Sequence, residues 1–286
     1  MKKQFLVAAL AALAIVGTAS ATRPAAKLPQ RIVSLSPSST DDLFAIGAGK
    51  QVVAVDSLSS YPKQAPVTKL SAYQPNVEAI VNYKPDLVVV SEDDNHIIEQ
   101  LARVHVKTIV EPAAANLNGV YSELTSLGKA TGHASGAAAV VRRMKASVAR
   151  IVASTPKPSK QLTVYHELDQ TYYSITSKTF IGQLYTMLGI RNIADAAGGT
   201  SDYPQLSAEY IIASNPDLIV LADTVCCGQS QTTLAARPGW STIAAVKHHE
   251  VVRVDDSIAS QWGTRVVNFL RALSSAVKTL EAKQQQ

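Results

Sequence analysis

Asn76-Val-Glu78-Ala-Ile80-Val-Asn-Tyr-Lys-Pro85-Asp86-Leu87-Val-Val-Val90 and Ser207-Ala-Glu209-Tyr-Ile211-Ile-Ala-Ser-Asn-Pro216-Asp217-Leu218-Ile-Val-Leu221 are two copies of one pattern. Each opens on a helix-capping residue (Asn76, Ser207), whose side-chain oxygen can accept from the first free amides of a helix. Each closes that short helix with a Pro-Asp pair, because proline cannot continue it. An all-apolar run follows, which suits a strand buried on both faces of a parallel sheet. The copies lie roughly half a chain apart. They predict an α/β protein of two similar lobes with parallel-sheet cores, and a ligand cleft between them.

The segments around the repeats extend this reading. Ile32 to Leu35 and Val52 to Val55 are apolar strands, separated by a loop, Ser36 to Ser39, and a helix capped by Thr40. Gly47 and Gly49 end that helix. Residues 56 to 74 read as a loop, Ile97 to Val104 as a helix and Thr108 to Val110 as a strand. In the second half Leu162 to Tyr165 is a strand, Thr179 caps a helix to Leu188, and Val251 to Val254 is a late strand. Gly263 to Lys283 is a C-terminal helix with Val266, Phe269, Leu270, Leu273, Val277 and Leu280 on one face. Between the halves, Ala134 to Ala153 carries apolar residues at helical spacing (Val140, Val141, Met144, Val148, Ile151). Twenty such residues span about 30 Å as one rigid helix. The domains are then a signal peptide at 1–21, an N-terminal lobe at 22–130, the connecting helix at 131–155 and a C-terminal lobe at 156–286.

The signal peptide is read from Lys2 and Lys3, an apolar stretch from Phe5 to Val16, and an Ala19-Ser20-Ala21 cleavage site. That stretch is too short to span a bilayer, which takes about 20 residues. No Cys follows the cleavage site, so export to a periplasm without a lipid anchor is expected. The 27 basic and 22 acidic side chains leave a small positive charge. Such a balance argues against a nucleic-acid groove. Two cysteines, Cys226 and Cys227, are adjacent, which is no disulfide framework. In an oxidising compartment they form a vicinal ring or stay as thiols.

Ligands of open parallel sheets bind beyond the carboxyl ends of the strands. That rule selects loops holding Ser36, Pro37, Tyr61, Tyr73, His166, Tyr173, Tyr203, Cys226, Cys227, Gln261 and Trp262. Aromatic bodies with polar tips suit a large, partly apolar ligand. Glu78 and Glu209 take equivalent places in the two repeats. Complementing a helix dipole is sufficient reason for both, and pairing with a partner's arginines is the alternative. His166 follows a strand, either as a hydrogen-bonded loop residue or as an axial metal ligand. No His-rich metal motif, G-x-S-x-G elbow, P-loop or dinucleotide fingerprint is present, so no catalytic residue, metal site or cofactor is expected.

Arg31-Ile-Val-Ser-Leu-Ser-Pro37-Ser-Ser-Thr40, the Ser60-Tyr61-Pro62 loop, the twice-used Glu-x-Ile-x4-Pro-Asp-Leu element and Arg237-Pro-Gly-Trp240 carry a further signal. Together they resemble periplasmic substrate-binding proteins with a rigid helical backbone, which feed ABC importers for vitamin B12, ferric siderophores and haem. The resemblance runs from about Arg31 to Leu280. It implies a monomeric carrier with no enzyme activity, whose partners are a small-molecule metal chelate and a permease dimer. It implies that Glu78 and Glu209 dock on permease arginines. The likeness is greatest to the vitamin B12-binding branch, where Tyr73 and Tyr203 match rings set against the corrin. Leu58 replaces a tyrosine of that branch, the 256–262 loop lacks its Asp and Arg, and Cys226-Cys227 is foreign to it. The expected cargo is a corrinoid, with a siderophore or haem as the alternative. An exported thiol redox enzyme using Cys226 and Cys227 is the reading from another class, and it lacks the C-x-x-C spacing.

Overall fold

A computed structural model of the chain describes residues 27–259 and 261–284. The signal-peptide reading lies outside these residues. The first lobe runs β1 (Ile32–Leu35), α1 (Pro37–Ala45), β2 (Val52–Asp56), β3 (Val67–Leu70), α2 (Val77–Val81), β4 (Leu87–Val90), α3 (Ile97–Arg103), β5 (Lys107–Val110) and α4 (Leu117–Thr131). Helix α5 (Ala134–Ser154) leads to the second lobe. There follow β6 (Leu162–Glu167), α6 (Phe180–Met187), β7 (Ile190–Asn192), α7 (Ala208–Ser214), β8 (Leu218–Leu221), α8 (Gln231–Ala235), α9 (Ala244–Lys247), β9 (Val251–Arg253), α10 (Asp256–Ala259) and α11 (Val266–Gln284).

Both sheets are parallel throughout, in the orders β3-β2-β1-β4-β5 and β7-β6-β8-β9. The repeated apolar runs are β4 and β8, and every residue of each is buried. Burying a Val, Leu or Ile side chain contributes about 1.5–3 kcal/mol. The capping residues do as predicted: Asn76 accepts from Ala79 at 2.9 Å and Ser207 from Tyr210 at 3.1 Å.

The Pro-Asp pair has a role the sequence pattern does not reveal. Asp86, just before β4, accepts the amides of Gln30 and Arg31 at 2.8 and 2.9 Å and so fixes the start of the neighbouring strand β1. Asp217, just before β8, accepts the Thr163 amide at 2.9 Å and pairs with Lys160, at the start of the neighbouring strand β6. The same carboxylate closes the same strand pair in each lobe.

Helix α5 makes the connection stiff because it belongs to one continuous core. Its stripe Ala137, Val140, Met144, Val148 and Ile151 packs in a cluster that also holds Ile32 and Leu87 of one sheet and Leu162 and Leu218 of the other. Helix α11 closes this cluster with Val266, Phe269, Leu270, Leu273, Val277 and Leu280. Gly136 lets α5 approach α1. A Cβ there would stand 2.1 Å from the carbonyl oxygen of Ile46, where α1 ends.

Several boundaries differ from the sequence reading. Helix α1 starts at Pro37 and not after Thr40. Ser36 is its N-cap, and proline is suited to the first helical position. Thr40 instead hydrogen-bonds Ser34 and Ser59 at 2.9 and 3.0 Å. The 56–74 loop contains β3, a sheet-edge strand with only Leu70 buried. Helix α4 and strand β7 lie outside the elements expected from sequence, although α4 carries Leu117, Val120, Tyr121, Leu124 and Leu127 at helical spacing. Strand β6 continues two residues beyond Tyr165, and residues 256–259 form a helical turn where a loop is expected.

Candidate functional site

In each sheet the strand order reverses once, between β1 and β4 and between β6 and β8. The carboxyl ends of these strands are the topological switch points where open sheets hold ligands. Ser36 and Pro37 sit at the first, with the Ser36 hydroxyl spent on the cap of α1. Leu168 and the 222–227 loop sit at the second.

A hollow of about 350 Å³ opens between the lobes. One wall is Ala113, Ala114 and Ala115, which follow β5 in the first lobe. The facing wall belongs to the second lobe and includes Ile175, Phe180, Tyr203, Gln261 and Trp262. Small residues opposite aromatic ones leave a slot for a flat body. Of the residues chosen from sequence, Tyr203, Gln261 and Trp262 line this hollow. The alanine run was missed, although it too follows the carboxyl end of a strand. Phe180 and Ile181 were read only as helix interior.

The other tyrosines chosen from sequence, Tyr61, Tyr73 and Tyr173, are open to solvent, Tyr73 at 74%, and Tyr203 is itself 56% exposed on the wall of the hollow. Tyr173 is held by a bridge to Gln205. Tyr61 lies under the Arg265 guanidinium, 4.2 Å from ring centre to the charged carbon. Arg265 ties the lobes together: its Nε donates to Asp41 of α1 at 3.0 Å, and its other nitrogens donate to Ser257 and Gln261. The Thr264 amide also crosses, donating to Asp42 at 3.1 Å.

His166 corrects the sequence reading. It is placed there in a cleft loop, but it lies inside β6, fully buried, and its Nδ1 bonds the Tyr185 hydroxyl at 2.6 Å. Phe269 covers its ring. Burial pushes its pKa down to about 3, so the ring is neutral. It is a core histidine and does not reach the hollow.

Cys226 and Cys227 are joined to each other as a vicinal disulfide on an exposed loop. Asp256 holds this loop by accepting the Val225 and Cys226 amides at 3.0 and 2.7 Å. Neither cysteine lines the hollow. Beneath the same end of the second sheet, Arg237 binds the buried Glu167 through two bonds of 2.6 and 2.7 Å. Its guanidinium rests on the Trp240 ring at 4.5 Å, so the Arg237-Pro-Gly-Trp240 loop is part of the lobe's framework. Neighbouring Asp223 is buried without a partner, and burial followed by the Glu167 charge lifts its pKa to about 7.

Behind Trp262 lies a group of buried carboxylates: Asp41 and Asp42 on α1, Glu111 after β5, and Glu123 on α4. Burial raises all four. Glu123 reaches about 8 through burial and then the charge of Glu111. Among the described residues no group of His, Cys, Asp and Glu is arranged to hold a metal ion.

Glu78 and Glu209 are both exposed in the first turn of their helices, and neither forms an ion pair among the described residues.

Two parallel-sheet lobes, a stiff helix between them and a hollow at the carboxyl ends define a rigid two-lobe binding protein. The chain belongs to the periplasmic binding protein family, whose pattern it matches over residues 32–258. It is 31% identical over 260 residues to the uncharacterized ABC transporter substrate-binding lipoprotein YvrC of Bacillus subtilis, covering 88% of this chain and 81% of that one. It is 31% identical over 258 residues to the cobalamin-binding protein of Halobacterium salinarum, covering 87% and 69%. The periplasmic heme-binding protein RhuT of Roseiflexus superposes with a TM-score of 0.77 at 22% identity, over 88% of this chain and 99% of that one, a likeness of fold. No helix among the described residues is long and apolar enough to cross a membrane.

Proposed function

We propose that the protein is an extracytoplasmic carrier that binds a bulky, flat corrinoid between its lobes and presents it to the permease dimer of an ABC importer. The observation that carries this reading is the hollow itself, with aromatic Tyr203 and Trp262 facing three consecutive alanines across the lobe boundary. Aromatic edges support a macrocycle, while nearby hydroxyls and amides are suited to its polar side arms. The cargo is held and not transformed, and the carrier acts as a monomer in the periplasm. Glu78 and Glu209, one per lobe, dock on permease arginines. The names of the two relatives agree with a substrate-binding role, and one of them with cobalamin.

Haem or a ferric siderophore is the second reading, favoured by the heme-binding structural relative. Two features weigh against it. An anionic chelate needs free cations, whereas Arg265 is already engaged by Asp41 and Lys178 stands 3.9 Å from Asp202. Haem needs an axial ligand, and His166 is sealed in the core, which leaves that task to a tyrosine such as Tyr203 on the wall of the hollow.

Calorimetric titration with cyanocobalamin tests the proposal, beside an absorption titration with hemin. Saturable heat with cyanocobalamin and an unshifted hemin spectrum are expected. No heat with cyanocobalamin, together with a shifted hemin band, would transfer the protein to the second reading.

A further inference from the structure

Charge is segregated along this chain to an unusual degree. No Asp or Glu occurs between Glu123 and Glu167, yet that stretch holds Lys160, which pairs with Asp217, and six further basic residues, Lys129, Arg142, Arg143, Lys145, Arg150 and Lys157. Outside it, acidic residues outnumber basic ones. All six side chains are exposed. The four on α5 lie on the face turned away from the buried stripe of Ala137, Val140, Met144, Val148 and Ile151. None of the six forms an ion pair among the described residues. Lys145 alone has a neighbour of note, the Tyr121 ring at 5.0 Å.

A helix face that only needs to be solvated mixes signs and gains from opposite charges three or four residues apart. This face does the reverse. Arg142 and Lys145 repel at that spacing, so the arrangement costs stability unless something negative covers it.

The geometry says which side of the molecule this is. Helix α5 begins beside the amino-terminal edge of the first sheet, where Gln51 bonds both Pro29 and Thr131. It ends beside the amino-terminal edge of the second, where Lys160 meets Asp217. The hollow opens at the carboxyl ends. A partner on α5 therefore leaves the mouth free.

We propose that the solvent face of α5, with Lys129 and Lys157 at its ends, docks on a bilayer surface bearing anionic lipid headgroups. The face is a straight run of about 30 Å with charges of one sign along it, which matches a plane of headgroups. It exposes no large apolar side chain of α5, so contact is by charge at the surface and not by insertion. A single-stranded nucleic acid would want stacking aromatics, and Tyr121 is the lone ring here, already under Lys145. Adsorbed this way, the carrier rests with its mouth toward the aqueous side, able to load while held near the membrane. This holds whatever the cargo is.

Cosedimentation of the purified protein with vesicles tests it. Vesicles of phosphatidylcholine alone are compared with vesicles in which phosphatidylglycerol replaces about a third of the lipid. Binding is expected only with phosphatidylglycerol, and it should vanish at about 0.5 M salt. The variant Arg142→Gln, Arg143→Gln, Lys145→Gln and Arg150→Gln should bind at least about tenfold more weakly, with a thermal midpoint no lower than that of the unaltered protein, because the repulsion between like charges is relieved. If that variant fails to fold, Arg143→Gln and Arg150→Gln singly should each weaken binding severalfold. Equal binding to both vesicles, no binding by the unaltered protein, or full binding by folded variants would overturn the proposal. Retention on a heparin column without vesicle binding would assign the face to an acidic polymer and overturn it equally.

Discussion

His166 and Glu123 are buried groups whose titrations oppose each other. The histidine is held neutral, with its pKa lowered to about 3 from 6.5. The unfolded chain binds a proton here that the folded one does not, so this residue makes stability rise with pH between those values. The glutamic acid is raised from 4.5 to about 8. The folded chain keeps a proton that the unfolded one has lost, so this residue makes stability fall as pH rises through that window. The two offset each other where the windows overlap, and above pH 6.5 only the carboxyl side remains. Asp42 and Asp223, both raised, act in the same direction as Glu123. The thermal midpoint is therefore expected to decline from pH 6.5 toward 8, and Glu123→Gln should make that decline shallower. A slope unchanged in the variant, measured by calorimetry across this range, would contradict the assignment of Glu123 as a buried neutral acid.

At the scale of elements, the repeat unit shows what was legible and what was not. The buried strands β4 and β8 were readable because a parallel strand covered on both faces is apolar at every position. Helix α5 was readable because its core stripe is long. Strand β3 was not, since a sheet edge needs only Leu70 inward and tolerates Lys69 outward. Helix α4 carries Gly119 and Gly128 within it; a Cβ at Gly128 would fall 2.5 Å from that of Ala137, so the glycine marks helix packing and not a loop. His166 was misplaced because its partner, Tyr185, is distant in sequence and the polar pair looked like the end of a strand. The candidate hollow was half legible. The strand-end rule found Tyr203, Gln261 and Trp262 but passed over the alanines, which offer shape and no chemistry. The Pro-Asp pairs yield a prediction at this scale. Asp217→Ala removes the carboxylate from the Thr163 amide and from Lys160 together. Hydrogen bonds to a charged group contribute about 1.5–3 kcal/mol, and partial exposure brings the expected loss toward the lower value. Asp86→Ala, at the more exposed copy, should cost less. Urea unfolding of both variants reads the difference, and equal or negligible losses would deny that the repeat works as a strand clamp.

At the scale of the whole molecule, stiffness and polarity combine. One core runs from sheet to sheet through α5, and Arg265 and Thr264 tie the rim to α1. Such a frame keeps the spacing between the two lobes nearly constant, which makes a two-point docking pair useful. Glu78 and Glu209 occupy the same place in each lobe, and among the described residues no cation meets either. Their helices need them little: a carboxylate in an exposed first turn contributes about 0.3–1 kcal/mol. The double change Glu78→Ala and Glu209→Ala should therefore leave the protein folded and its cargo affinity unaltered, because neither residue lines the hollow. Uptake by cells that depend on this carrier should fall by more than the product of what the single changes cost, because a rigid frame engages both points at once. Single changes that each abolish uptake, or a double change that weakens cargo binding, would place these carboxylates in some other role.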